Sequence, residues 1–231
     1  MDRTEVTVRA YQVCMQKGGC SPASTVTPPA ADAEEPAGED SPPADQFAEA
    51  WSRRCNEPQR FLDHPINCVD WSSADNYCRF VGRRLPTEAE WELAARGPAA
   101  RVYAWGGAAP DCQRACYDKN QSCRPAGEDV ATCAVMSRKG DVTTDGVFDL
   151  GGNVAEWVVD GFAPTPAGGD DPRGPEAAPL RVVKGAGFVD EAPRLHAAVR
   201  DGMAPAAAAA RVGFRCAADV PVDAHTVPPE R

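Results

Sequence analysis

No run of apolar residues in this 231-residue chain is long enough to span a bilayer, which excludes a membrane-spanning helix. No segment repeats at a fixed period, which excludes solenoids and propellers. Lys and Arg are absent from residues 21–50, a stretch that holds seven acidic residues and six prolines. Cysteine is absent between Cys133 and Cys216, although the chain has ten in all. Histidines number three, His64, His196 and His225, which leaves little for imidazole acid–base or metal chemistry. No nucleophile motif or phosphate-binding loop stands out. Aromatic residues make up 7%, but five of them are Trp, which suits a loop-rich compact fold better than a helical bundle.

The length allows one large domain or two small ones, and 43% apolar residues supply ample core. The net charge of -10 argues against nucleic acid and anionic membranes as partners. Ten scattered cysteines, an even number, favour disulfides and an oxidising compartment over buried cytosolic thiols. Local pairs Cys14 with Cys20, Cys55 with Cys68, and Cys123 with Cys133 are plausible, leaving Cys112 with Cys116. Spacing alone does not fix connectivity. A zinc site at Cys112, Cys116, Cys123 and Cys133 is disfavoured, because only the first pair has the short spacing of a zinc knuckle.

Residues 8–17 read as a short helix capped by Thr7 and stopped at Gly18-Gly19. Residues 21–50 cannot bury enough apolar surface to order themselves, so a disordered surface insertion is expected, held at its ends by Cys20 and Cys55. A second helix is expected over 69–81. Asp70 caps it, Ala74, Tyr77, Cys78 and Val81 share a face, and Gly82 ends it. A third follows at once: Thr87 and Glu90 form a capping box, Trp91, Ala94 and Ala95 share a face, and Gly97 terminates in a left-handed conformation. Beyond it the apolar runs are too short for helices. The best strands are 102–105, 147–150, 155–159, 180–184 and 212–216. Residues 163–179 form a Pro/Gly loop, 204–210 read equally as loop or helical turn, and 220–231 read as a flexible tail. Helices early and short strands late indicate an α+β domain.

Arg84-Leu85-Pro86-Thr87-Glu88-Ala89-Glu90-Trp91-Glu92-Leu93-Ala94-Ala95-Arg96-Gly97 resembles the signature of the formylglycine-generating enzyme, or sulfatase-modifying factor, family. Further blocks keep the family's order: His64 to Trp71, Tyr103-Ala104-Trp105-Gly106, Phe148 to Trp157, and Gly213-Phe214-Arg215. The resemblance runs from Glu5 to Asp219 and implies one domain over 1–219 with a loop-rich variant of the C-type lectin fold. Asp2 to Thr7 resembles the middle of the family's first block, so N-terminal strands and an export signal are expected upstream.

The resemblance also implies chemistry. Asp149 and Glu156 would bind a structural calcium through their side chains, with Gly152 and Val154 contributing carbonyls, which suits a cation that prefers hard oxygen donors. Ala155 stands where the family usually has Trp. Cys78 and Cys216 would form a disulfide, and the family's second common disulfide is missing at both ends, at Ala95 and Arg200. Active members hold Cu(I) on two cysteines and oxidise the cysteine of a Cys-x-Pro-x-Arg sequence. Here those positions fall on Asp190 and Leu195, and neither a carboxylate nor a leucine replaces a thiolate on Cu(I). Copper is therefore not expected.

The expected function is a non-catalytic, exported binding or scaffold module for a protein or small ligand. Its surface would lie on the 185–211 loops, with Asp190, Arg194, His196, Arg200, Asp201 and Arg211 either contacting a partner or pairing internally. The alternative is an oxidoreductase using a metal at Asp190 and His196. His64, before Pro65, is expected to make a structural hydrogen bond.

Overall fold

The computed structural model describes residues 1–23, 49, 51–56, 60–118, 123 and 132–219. Most of the insertion expected at 21–50, and the whole tail at 220–231 with His225, lie outside the described residues. Three helices, four short strands and one 3-10 turn are named among those described, in an α+β arrangement: α1 (Val8–Gln16), α2 (Trp71–Phe80), α3 (Glu88–Arg96), β1 (Ala155–Gly161), β2 (Arg181–Lys184), the 3-10 turn (Ala192–Leu195), β3 (Arg200–Met203) and β4 (Val212–Phe214).

Each helix begins where a side chain satisfies the first exposed N–H groups. Ala10 N donates to Thr7 Oγ1 at 3.2 Å, and Ser73 N donates to Asp70 Oδ1 at 2.6 Å. The capping box closes both ways: Glu90 N donates to Thr87 Oγ1 at 3.1 Å and Thr87 N to Glu90 Oε2 at 2.8 Å. Gly97 takes φ 59°, where other residues are strained, but its ψ of -176° differs from the left-handed terminator expected. Arg84 donates to both Glu90 oxygens at 2.7 Å, and with the capping bond this pulls the Glu90 carboxyl down to about 2.

The strands form one sheet in the order β3-β2-β1-β4. β1 pairs antiparallel with β2 and parallel with β4, and β2 pairs antiparallel with β3. β1, Ala-Glu-Trp-Val-Val-Asp-Gly, is buried on both faces along nearly its whole length, which explains why its pattern does not alternate and why Glu156 within it needs buried partners. The N-terminal segment runs beside β4, with Val6 N donating to Phe214 O at 2.9 Å and Asp2 N to Cys216 O at 2.7 Å. Tyr11 of α1 stacks on Tyr77 of α2, and both meet Phe214 edge-on, so the helices close one side of the sheet. Trp91 carries α3 into a separate cluster with Leu150, Val158 and Val182.

Two expected strands are reduced to isolated bridges, Tyr103 with Gly106 and Val142 with Phe148, and residues 204–210 form turns without a helix. β3 was not expected. Arg-Asp-Gly-Met has no alternation and no β-branched residue, and it becomes a strand only because it lies at the sheet edge against β2.

All ten cysteines are paired, and no thiol is free. Cys14–Cys20, Cys55–Cys68 and Cys78–Cys216 follow expectation. The remaining four cross over as Cys112–Cys123 and Cys116–Cys133, which corrects the pairing by sequence proximity. The physical reason is which part of the interior each enters: Cys116 and Cys133 meet beside Cys68 and Phe188, and Cys112 and Cys123 meet in the cluster around Leu195, contacts that only the folded chain creates.

Candidate functional site

The turn between Asp149 and β1 leads into the most highly charged part of the interior. Asp149 and Asn153 both take positive φ, 58° and 70°, conformations that non-glycine residues adopt only where the surroundings hold them. Between them the glycines are needed for space. A Cβ on Gly151 would lie 2.2 Å from the Trp105 ring, and one on Gly152 would lie 2.7 Å from the carbonyl oxygen of Cys116. The turn is fixed from outside as well: Asn153 N donates to Cys116 O at 2.8 Å, and Cys133 N donates to Asn153 Oδ1 at 2.8 Å.

Four carboxylates collect around one guanidinium here: Glu5 from the N-terminal segment, Asp141, Asp149, and Glu156 from β1, facing Arg215 just beyond β4. All five side chains are buried. Arg215 donates to Glu156 Oε1 at 2.6 Å through Nη2 and to Glu156 Oε2 at 2.7 Å through Nε, and Nη2 also reaches the Phe148 carbonyl at 2.9 Å. Trp91 Nε1 adds a bond to Glu156 Oε2 at 2.8 Å. Asp149 Oδ2 accepts from Met136 N at 2.7 Å, and Gly151 N is shared by both oxygens of Asp141 at 3.2 Å. Both oxygens of Glu5 are buried without a hydrogen-bond partner.

The electrostatics follow from burial. Desolvation, reinforced by Asp149, raises the Glu5 carboxyl well above its ordinary range. Desolvation and Asp149 do the same to Asp141. Asp149 is raised to about 6, chiefly by burial. For Arg215 burial opposes the charge, and the two bonds to Glu156 outweigh it, so its pKa rises.

As a cation site, the set implied by resemblance is mixed. The oxygen-only chemistry and the surplus of negative charge suit a hard divalent cation. The orphaned oxygens of Glu5 would be served by a cation or by a proton shared with Asp149, with which Glu5 is in side-chain contact. Glu156, however, has both oxygens already engaged, and among the described residues no group of three or more His, Cys, Asp or Glu side chains stands ready to hold a metal. Any cation would depend on the turn carbonyls at Gly152 and Val154 as much as on carboxylates.

The 185–211 loops carry a second charged set. Arg194 pairs with Asp201 and, at 3.3 Å, with Asp190; Arg211 pairs with Asp201 at 3.3 Å. Asp190 also accepts from Gly187 N at 2.7 Å. Arg200 forms a two-pronged pair with Glu88 of α3 at 2.6 and 3.0 Å. These residues thus pair with one another and with α3. Leu195 is buried beside Ala186, Tyr117 and the Tyr103–Trp105 pair. His196 is exposed and meets Tyr103 edge-on, and Tyr103 stacks on Trp105 with ring planes 7° apart. His64 Nδ1 and Thr132 Oγ1 are hydrogen-bonded at 2.8 Å, and burial lowers the imidazole pKa, as befits a structural histidine.

Sequence reasoning missed Glu5, Asp141 and Trp91 as parts of the charged centre and gave Arg215 no role. Glu5 lies in Thr-Glu-Val-Thr, where nothing local marks a glutamate for burial. Its place is set by the pairing of the N-terminal segment with β4.

The comparisons agree with this architecture. A family model described as "Sulfatase-modifying factor enzyme 1-like domain" matches residues 1–220. A formylglycine-generating enzyme of Thermomonospora curvata is 36% identical over 170 residues, which cover 68% of this chain and 56% of that protein. An inactive C-alpha-formylglycine-generating enzyme 2 of Mus musculus is 34% identical over 163 residues, covering 68% and 49%. The chain therefore spans about half the length of the curated relatives it matches. Among solved structures, Treponema denticola variable protein 1 shares the fold at a TM-score of 0.62 and 20% identity, over 91% of this chain and 80% of that one. PvdO from Pseudomonas aeruginosa does so at 0.54 and 24%, over 66% and 61%. With the helix signature, the sheet and the turn all in place, the chain belongs to the sulfatase-modifying-factor family, that of the formylglycine-generating enzymes.

Proposed function

We propose that this chain is a non-catalytic, exported binding or scaffold module of that family. One observation carries the reading: every cysteine is in a disulfide and none lies between Cys133 and Cys216, so no thiolate pair is available to hold Cu(I). Asp190 and Leu195, at the positions that resemblance aligns with the copper ligands, serve a loop hydrogen bond and apolar packing. A relative named as inactive supports the view that the family's fold outlives its oxidase chemistry. The five disulfides fit an oxidising compartment and so support export.

The binding face in this reading is formed by Asp190, Arg194, His196, Arg200 and Arg211 with the neighbouring Tyr103–Trp105 stack. The ion pairs hold the loops in one shape, and the exposed imidazole beside two stacked rings offers a flat contact for a protein or small ligand. A structural calcium at Asp149, Gly152, Val154 and Glu156 belongs to the same reading. When bound it would offset the surplus negative charge behind the turn.

The test is incubation of the purified protein with copper, reductant, oxygen and a Cys-x-Pro-x-Arg peptide. The peptide is expected to emerge without an aldehyde. Formation of formylglycine would overturn the proposal, and stoichiometric copper or iron in the purified protein would favour the oxidoreductase alternative at Asp190 and His196.

A further inference from the structure

The chain has a net charge of -10, yet one cleft in it carries the opposite sign. Residues 112–114 form one wall and residues 137–140 the other, around a volume of about 380 Å³. That is room for a small ligand. Three of the seven lining residues are cationic, Arg114, Arg138 and Lys139, and none is acidic. Gln113 and Ser137 add neutral side chains able to donate hydrogen bonds. The cleft shares no lining residue with the face formed by the 185–211 loops.

The two walls are held together through the backbone. Gly140 N donates to Gln113 O at 3.1 Å, and a Cβ on Gly140 would lie 3.0 Å from both Gln113 O and Arg114 Cγ. Glycine thus lets Arg114 lie close to the segment that carries Arg138 and Lys139. An anion among these three like charges would relieve their mutual repulsion.

The cations also keep donors in reserve. Asp111 takes Arg114 through Nη1 alone, which leaves the Nε–Nη2 edge of the fork. Arg138 Nη2 donates to Cys123 O at 2.7 Å and to Cys133 Sγ at 3.3 Å, which fixes the guanidinium against the crossed disulfides. Its Nε is buried with no hydrogen-bond partner, and among the described residues no carboxylate pairs with it. Lys139 is exposed and makes no ion pair among the described residues.

We propose that this cleft binds a tetrahedral oxyanion, a phosphate or sulfate group, free or as an ester. The open edge of the Arg114 fork matches two oxygens of such a group. Arg138 contributes a fixed charge and Lys139 a mobile one, while Gln113 and Ser137 serve the remaining oxygens. A doubly charged oxyanion answers more of the positive charge than a carboxylate does. This goes beyond the binding face proposed above and does not depend on it.

The test is calorimetric titration of the full chain at pH 7 with sodium phosphate, sodium sulfate, O-phosphoserine and sodium acetate, as wild type, Arg138→Gln and Lys139→Gln. Wild type is expected to bind one phosphate or sulfate saturably, and acetate far more weakly. Tighter binding of O-phosphoserine than of phosphate assigns an ester as the ligand, and the reverse assigns the free ion. Each variant is expected to bind about tenfold more weakly, the loss of one charge-assisted bond. Absence of phosphate and sulfate binding by wild type overturns the proposal. Acetate binding as tight as that of phosphate or sulfate overturns it as well, because a general attraction of charge then suffices. Arg138 also bonds to the disulfide-linked segments, so should Arg138→Gln fail to fold, the exposed Lys139 decides. Unchanged binding in Lys139→Gln places the ion elsewhere and overturns the assignment.

Discussion

Replacing Arg215 by Met is expected to be among the most damaging single changes in this protein. The guanidinium is fully buried and makes two short bonds to a carboxylate that is itself 1% exposed. Methionine fills part of the volume but leaves Glu156 with Trp91 alone, the Phe148 carbonyl without its donor, and the other three carboxylates without their counter-charge. Breaking a buried pair by removing one partner costs about 3–5 kcal/mol, against a total stability of about 5–15 kcal/mol for a domain. For a chain of this size that corresponds to a fall in Tm of about 6–20 °C. Urea titration of wild type and variant at pH 7, both in chelator, measures it. A double-mutant cycle with Glu156→Gln isolates the pair, and the double variant is expected to lose much less than the sum of the single losses. If Arg215→Met costs under about 1 kcal/mol, the charged centre is not what holds β1, β4 and the N-terminal segment together, and the reasoning fails.

Two further perturbations test other parts of the frame. Changing Cys78 and Cys216 together to Ala opens a loop closed across 138 residues, but two local bridges inside it shorten the effective loop, so a loss of about 4–5 kcal/mol is expected in chemical denaturation. Thr87→Ala removes half of the capping box and is expected to cost about 0.5–2 kcal/mol, read by the same titration. Glu90 adds a pH signature. Its carboxyl is held at about 2 by Arg84, so its contribution is present above the unfolded carboxylate range and lost as pH falls through about 2. With a side chain 40% exposed, the contribution is reduced by solvent screening, and the stability gap between wild type and Glu90→Gln should narrow in salt as well as in acid.

What was legible in the sequence was legible because its causes are local. Thr7, Asp70 and Thr87 announce helix starts through bonds to residues three positions on, and each cap lies where its sequence places it. β1 was legible from its short Trp-Val-Val core. β3 was not, because Arg200–Met203 is a strand by its neighbour's choice. The crossed disulfides were illegible for a similar reason, since four cysteines within 22 positions allow three pairings and only the packing cluster each one enters chooses among them. Within the candidate site, the turn could be read from Gly151, Gly152 and Asn153. The centre behind it could not, because Glu5 and Arg215 are 210 positions apart and meet only when the N-terminal segment pairs beside β4.

Fold and catalysis are supported by different parts of this chain. The family's architecture rests on the buried centre, the α3 signature and the sheet, and the side chains that build these are present and paired. The resemblance aligns the family's two copper-holding thiols with positions in the 185–211 loops, where this chain has a hydrogen-bonding carboxylate, a buried leucine and a web of ion pairs. Arg200 shows the same exchange. Resemblance aligns Ala95 of α3 and Arg200 of β3 with a disulfide, and here Arg200 instead grips Glu88, about two turns earlier on the same helix, with its guanidinium over the Phe162 ring. A covalent link and a two-pronged ion pair perform one mechanical task, holding α3 against the sheet edge. On the reading proposed above, the loops would lose their chemistry while the scaffold keeps its shape, and their charged, aromatic-edged surface would be what remains for binding.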